Sequence, residues 1–180
     1  MTRPDQAAIS VLYVDDDADL AALVSLHLER VDNAFDVVTE TSAQDGLDRL
    51  AGRNFDCVVS DLEMPGMDGL AFLEAVRDAH GDLPFVLFTG KGSEEVASDA
   101  IAAGVTEYLQ KGVGTEQYEV LAHRIQRAVG ERRARAEAAE SERMFSTLVE
   151  NLPGMVYRCR VEEGWPMEYV SEGCTALTGY

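Results

Sequence analysis

The sequence predicts an α/β protein, a doubly wound five-stranded parallel sheet continued by an extended C-terminal helix. Three observations carry that reading. Short apolar runs rich in branched residues, such as ISVLYV (9–14), alternate along the chain with stretches whose apolar residues recur every three to four positions. The runs are apolar throughout and not every second residue, which is the pattern of strands covered on both faces. Hydrophobic residues make up 46% of the 180, enough for a packed core despite a formal net charge of −18.

The first strand spans 9–14, and three acids follow it at once, Asp15, Asp16 and Asp17. Leu20, Leu23, Val24, Leu26 and Leu28 then mark the apolar face of a helix. The alternation continues with FDVVTE (35–40), a helix over 42–51, FDCVVS (55–60), a helix over 68–79, PFVLFT (84–89), a helix over 93–103, and TEYLQ (106–110). From about Thr115 one long helix begins, with Val120, Leu121, Ile125, Ala128 and Val129 on its apolar side. It does not stop where the domain closes, because residues 131–143, ERRARAEAAESER, hold strong helix formers and neither Gly nor Pro. Their four acids and four arginines read as a solvated face or a weak coiled-coil seam, and the thin alanine seam favours the first. Met144, Phe145, Leu148 and Val149 reopen a core-facing pattern, and Pro153-Gly154 must end the helix. Residues 155–180 then carry the strand-like runs MVYRCRV and MEYV between turn residues. Some 36 residues after the long helix are below the size at which a core sustains itself without disulfides or metal, so the chain is expected to end inside a domain.

Acids outnumber bases 33 to 15, which makes nucleic acid and anionic membrane surfaces poor partners. The longest apolar stretches, such as Leu20 to Leu28, are too short to span a membrane, and the start MTRPDQ lacks the build of a signal peptide. The expected location is the cytoplasm. Cys57, Cys159 and Cys174 are too few and too scattered for a disulfide framework or a four-ligand zinc site, and read as small core or reduced surface residues. His27, His80 and His123 stand alone on predicted helices. Only Lys91 and Lys111 are lysines, the other thirteen bases being arginines. An acid-heavy, lysine-poor surface suits a cytosol rich in salt, where screening removes self-repulsion, and implies a halophilic source.

In an open parallel sheet, functional groups collect just beyond the carboxyl ends of the strands. That rule selects Asp15 to Asp17 after the first strand, Asp61 after the third, Thr89 after the fourth and Lys111 after the fifth. Two carboxylates about 4 Å apart at an effective dielectric near 20 repel by about 4 kcal/mol, so such a cluster should hold a cation. Oxygen donors without His or Cys favour Mg²⁺. A hard cation, a lysine and a hydroxyl around one carboxylate are the set that stabilises a transferring phosphoryl group, with Asp61 as nucleophile. Against this stands the plain role of Asp as a helix cap or turn residue.

These residues resemble the receiver domain of two-component response regulators. VLYVDDD (11–17) is similar to the family's first strand and acidic pair, and DCVVSDLEMPGMDG (56–69) to its phosphoacceptor segment. VLFTGKG (86–92) and EYLQKG (107–112) match the switch segments, and the likeness covers roughly residues 9–128. The resemblance implies a CheY-like sheet in the order 2-1-3-4-5. It implies phosphorylation on Asp61, and Mg²⁺ held by Asp15, Asp16, Asp61 and the backbone carbonyl of Glu63. It also implies Thr89 as switch hydroxyl, Tyr108 as switch aromatic and Lys111 as phosphate-binding lysine, with Lys91 near the site. Receivers usually carry a cis proline directly after the lysine, whereas this chain has Gly112, so the loop either tolerates strain through glycine or runs trans. ENLPGMVYR (150–158) and WPMEYVSEGCTALTGY (165–180) resemble the start of a PAS sensor domain, a partial α+β segment.

The expected organisation is a receiver over 1–128, a helical linker over 129–144 and a truncated PAS-like domain over 145–180. The expected partner is a sensor histidine kinase or phosphotransfer protein, with transfer and hydrolysis self-catalysed at Asp61 and a possible homodimer through the C-terminal helix. Three rivals remain: the front piece of a hybrid receiver-PAS histidine kinase, an acid-cluster phosphatase or phosphotransferase acting on a small molecule, and an interaction module with a silent site.

Overall fold

The structure, a computed structural model, describes residues 8–90, 93–152, 154–162, 164–171 and 174. The chain divides into two units, Met1–Arg132 and Arg133–Tyr180. In the first unit strands β1 (Ile9–Val14), β2 (Phe35–Glu40), β3 (Cys57–Ser60), β4 (Phe85–Thr89) and β5 (Glu107–Gln110) alternate with helices α1 (Ala18–Val31), α2 (Ala43–Gly52), α3 (Gly69–His80) and α4 (Glu94–Ala102). The helix α5 (Glu116–Asn151) follows β5. All five strands pair in parallel, in the order β2-β1-β3-β4-β5. The order reverses between β1 and β3, so the crevice at their carboxyl ends is where such a sheet binds ligands.

The strands read apolar throughout because both faces are covered. Val11 and Tyr13 of β1 lie in the layer beneath α1 and α5, with Val24, Leu28, Leu121 and Ile125. Leu12 and Val14, on the opposite face, pack with Phe72, Leu73 and Val76 of α3. Leu23, Leu26 and Val120, expected on buried helix faces, are instead 43%, 45% and 49% exposed. On α1 the narrower stripe Ala21, Val24, Leu28 already fills the space against the sheet.

Ser42, Asp68 and Ser93, where three of the sequence-predicted helices begin, have extended backbones and cap α2, α3 and α4 by accepting backbone N–H groups. Arg77 of α3 ties two loops together, donating to the carbonyls of Leu83 (2.6 Å) and Gly104 (2.8 and 3.0 Å). Burial lowers its pKa from the usual arginine value, and Asp82 acts against that shift. Glu107 of β5 binds Arg124 (3.3 Å) and Arg127 of α5.

In the second unit β6 (Tyr157–Cys159) and β7 (Met167–Val170) form an antiparallel hairpin, irregular between Arg158 and Cys159. Glu168 of β7 accepts from Arg160 Nε at 2.5 Å and pairs with Arg158 at 3.2 Å. Of the four apolar residues expected to face a core, only Val149 is buried; Met144, Phe145 and Leu148 are 59%, 58% and 62% exposed. The described residues of this unit leave those three uncovered. Thr178, Gly179 and Tyr180 lie outside the described residues.

Candidate functional site

Register brings the site together. Val14 of β1 lies beside Ser60 of β3, so the residues that follow, Asp15 and Asp61, emerge next to each other. Ser60 lies beside Leu87, and Thr89 beside Gln110, so Thr89 and Lys111 reach the same rim. The Lys111 N–H donates to the Thr89 carbonyl at 2.7 Å. Asp15, Asp16, Asp17, Asp61, Glu63, Thr89 and Lys111 share the lining of one open cavity of about 340 Å³.

Asp15, Asp61 and Thr89 are only 2%, 7% and 1% exposed. Buried carboxylates persist only when paired and hydrogen-bonded. The Lys111 ammonium bridges them, donating to Asp15 Oδ2 at 2.7 Å and to Asp61 Oδ1 at 2.9 Å. Asp61 Oδ2 accepts from the Glu63 N–H, and Asp15 Oδ1 from the Asp17 N–H, each at 3.0 Å. Burial by itself would lower the Lys111 pKa, but the hydrogen bonds and charges of Asp15 and Asp61 outweigh it and raise the pKa above the usual lysine value.

A second donor on Asp15 was not legible in the sequence. The hydroxyl of Tyr13, a fully buried residue, donates to Asp15 Oδ2 at 3.0 Å. Burial, and next the adjacent Asp15 charge, push the Tyr13 pKa far up, so it remains a neutral donor. The one available signal is the strand period: residues two apart share a face, so a tyrosine two positions before a site acid reaches back toward it.

The other acids separate by role. Asp17 caps α1, its Oδ1 accepting from the Asp19 and Leu20 N–H groups at 3.1 and 3.0 Å, which is the plain capping role weighed against a functional one. Asp16 is exposed on the cavity lining. Among the described residues no three metal-ligating side chains already stand at the spacing of a metal site. The Lys111 ammonium occupies the span between Asp15 and Asp61. Chemically the donor set still fits a hard cation that keeps most of its waters: Asp15, Asp16, Asp17, Asp61 and Glu63 share the cavity with one ammonium, and its lining has neither His nor Cys.

Gly69, at the start of α3, shapes the floor. A Cβ there would come within 2.3 Å of the Asp61 carbonyl oxygen, so only glycine lets α3 approach the phosphoacceptor candidate so closely. The Lys111–Gly112 bond is trans, no cis peptide occurring among the described residues. The Gly112 N–H, a donor that proline lacks, binds Gln117 Oε1 at 2.9 Å, and Gln117 Nε2 donates to the Gly114 carbonyl at 2.8 Å. Gln117 was also missed, since nothing in its spacing sets it apart. Tyr108 lies half-buried beside Leu87 on the α4 side of the sheet, and its buried hydroxyl meets no hydrogen-bond partner among the described residues. Lys91 lies outside the described residues.

Residues 11–123 match the family described as the response regulator receiver domain. The chain is 34% identical over 152 residues to the C4-dicarboxylate transport transcriptional regulatory protein DctD of Rhizobium meliloti, covering 83% of this chain and 33% of that one. It is 34% identical over 101 residues to the transcriptional regulatory protein FixJ of Bradyrhizobium diazoefficiens, covering 56% of this chain and 48% of that one. The chain thus spans a third to a half of the length of these relatives. The structure of the chemotaxis response regulator CheY4 of Vibrio cholerae superposes with a TM-score of 0.60 at 28% identity, covering 66% of this chain and 99% of that one.

Proposed function

The chain belongs to the response regulator receiver domain family, and we propose from that footing that Asp61 is its phosphoacceptor, loaded from the phosphohistidine of a sensor histidine kinase or a phosphotransfer protein. The observation that carries the proposal is the Lys111 bridge between the buried carboxylates Asp15 and Asp61, at 2.7 and 2.9 Å. In the step itself an Asp61 carboxylate oxygen forms a bond to phosphorus as the phosphorus–nitrogen bond of the donor breaks, its electron pair returning to the imidazole. Lys111 moves from Asp61 Oδ1 onto the arriving phosphoryl oxygens while remaining within reach of Asp15. The Glu63 N–H holds the second Asp61 oxygen, and the Thr89 hydroxyl turns to the phosphoryl group. Asp15, Asp16, Asp61 and the Glu63 carbonyl would hold Mg²⁺, which when bound offsets the charge shared by carboxylate and phosphoryl oxygens. Water attack on the acyl phosphate then resets the site.

The finer reading extends to output. Movement of Thr89 vacates space that Tyr108 fills, repacking the edge of the sheet on the α4 side. Residues 1–128 then form the receiver, 129–144 a helical linker and 145–180 the start of a PAS-type module, a reading supported by the β6–β7 hairpin and by the length of α5. The length of α5 supports a homodimer through that helix, and the rival reading is the N-terminal fragment of a hybrid receiver-PAS histidine kinase. The net charge of −18 and the arginine-for-lysine bias support a salt-rich cytoplasm as its setting.

Acetyl phosphate or beryllofluoride with Mg²⁺, read by mass spectrometry, tests the acceptor: Asp61 alone is labelled, and Asp61→Asn abolishes labelling with the fold intact. Labelling that survives moves the acceptor to Asp15 or Asp16, no labelling in wild type points to a silent interaction module, and partner-free turnover of small donors points to an enzyme. Sedimentation of wild type and Thr89→Ala in high salt, with and without beryllofluoride, reads the dimer. Couplings of this kind run to about 1–3 kcal/mol, so the dimer constant should shift about 5- to 150-fold in wild type only. Equal constants in all four samples make α5 a tether.

A further inference from the structure

We propose that Tyr13 is a positioning residue of the acidic site, its hydroxyl holding the Asp15 carboxylate in one orientation whether or not Lys111 is bound to it. The inference rests on reading Asp15, Asp16 and Asp61 as a cation site. Asp15 Oδ2 has two donors of different character. Lys111 sits on a flexible four-carbon stem, is shared with Asp61 and reaches Oδ2 at 2.7 Å from the loop after β5. Tyr13 is rigid: it is fully buried, its ring packs among Val11, Val24, Leu28 and Ile125, and its hydroxyl stands 3.0 Å from the same oxygen.

In the lysine-bound state Asp15 is already served by Lys111 and by the Asp17 N–H, so its pairing does not require a third donor. The core does not require the hydroxyl either, since a phenylalanine ring would fill the same space among these neighbours. The contribution of Tyr13 therefore appears when the ammonium is drawn toward an arriving phosphoryl group. With only the Asp17 N–H left on Oδ1, the carboxylate would be free to rotate about its terminal bond. The Tyr13 hydroxyl, which cannot follow the lysine, keeps Oδ2 where it was. An outer donor that fixes a ligating carboxylate is commonly worth 10- to 100-fold in metal affinity.

The bland alternative is that the hydroxyl only satisfies its own burial, and it makes a different forecast. The test is Mn²⁺ binding to the full chain, read as free Mn²⁺ by electron paramagnetic resonance, in wild type, Tyr13→Phe and Asp16→Asn, with the melting temperature of each metal-free protein recorded in parallel. Wild type should show a saturable site that Asp16→Asn weakens, and Tyr13→Phe should raise the Mn²⁺ Kd about tenfold. A saturable wild-type site with an unchanged or tighter Kd in Tyr13→Phe, whatever the melting temperature does, overturns the inference and leaves the cation reading standing. Absence of a saturable site in wild type overturns both. Should Tyr13→Phe fail to fold, Tyr13→Met, of similar reach and without a hydroxyl, carries the same comparison.

Discussion

Lys111 and Tyr13 show how two side chains can be pushed the same way for different reasons. Burial opposes the lysine charge and is outweighed by Asp15 and Asp61, whereas burial and the Asp15 charge both keep the Tyr13 phenol neutral. Each group therefore has a folded-state pKa above its unfolded value, which is about 10.4 for lysine and about 10 for tyrosine. A raised value contributes stability that is fully present below the unfolded pKa and is lost as pH climbs through the folded one. Metal-free protein should hold its melting temperature up to about pH 10 and lose it above, with a shallower loss in Tyr13→Phe. Thermal melts across that range check it, and identical alkaline limbs in the two proteins would show that the Tyr13 hydroxyl is not coupled to the fold. The sequence named Lys111 because it follows a strand. It did not name Tyr13, because an aromatic residue within an apolar run reads as core, and here it is both core and site.

Two glycines separate what an element needs from what it merely tolerates. Gly69 begins α3, where an added Cβ would meet the backbone oxygen of Asp61 at 2.3 Å, and backbone cannot step aside as a side chain can. Gly130 lies inside α5 with nothing within 4 Å of its virtual Cβ, so it contributes only the flexibility that opposes helix formation. Gly69→Ala should therefore destabilise by about 1–3 kcal/mol, while Gly130→Ala should stabilise by about 0.5–1 kcal/mol. Urea unfolding of the two variants reads both signs, and a neutral Gly69→Ala would mean that α3 can shift away from the site at no cost. Neither effect is visible in the sequence, where both glycines are simply small residues near or within a predicted helix.

The acid excess belongs to the whole molecule and not to any one contact. With 33 acids and 15 bases, the fold carries its self-repulsion in low salt. An exposed pair such as Arg53–Asp36 offsets little of it, surface ion pairs being worth about 0–1 kcal/mol. The screening length falls from about 10 Å at 0.1 M salt to about 3 Å at 1 M. The melting temperature should accordingly rise steeply with KCl over that interval and flatten beyond it. A flat response from dilute buffer upward would remove the case for a salt-rich setting.

The local pattern of the sequence determined that five strands alternate with helices, and that acids, a hydroxyl and a lysine stand at or just past four strand ends, because burial on both faces dictates apolar runs and the end of each run marks the rim. Helix starts differed by one residue because Ser42, Asp68 and Ser93 cap their helices from extended backbone, a distinction of dihedral angle that composition does not carry. What only the tertiary structure decided was which of those acids do what. Asp15 and Asp61 are buried and share one ammonium, Asp17 turns to cap α1, and Asp16 remains at the surface. That sorting depends on strand register between β1 and β3 and on the reach of a lysine 96 residues away from Asp15 in sequence, distances that close only once the sheet has formed.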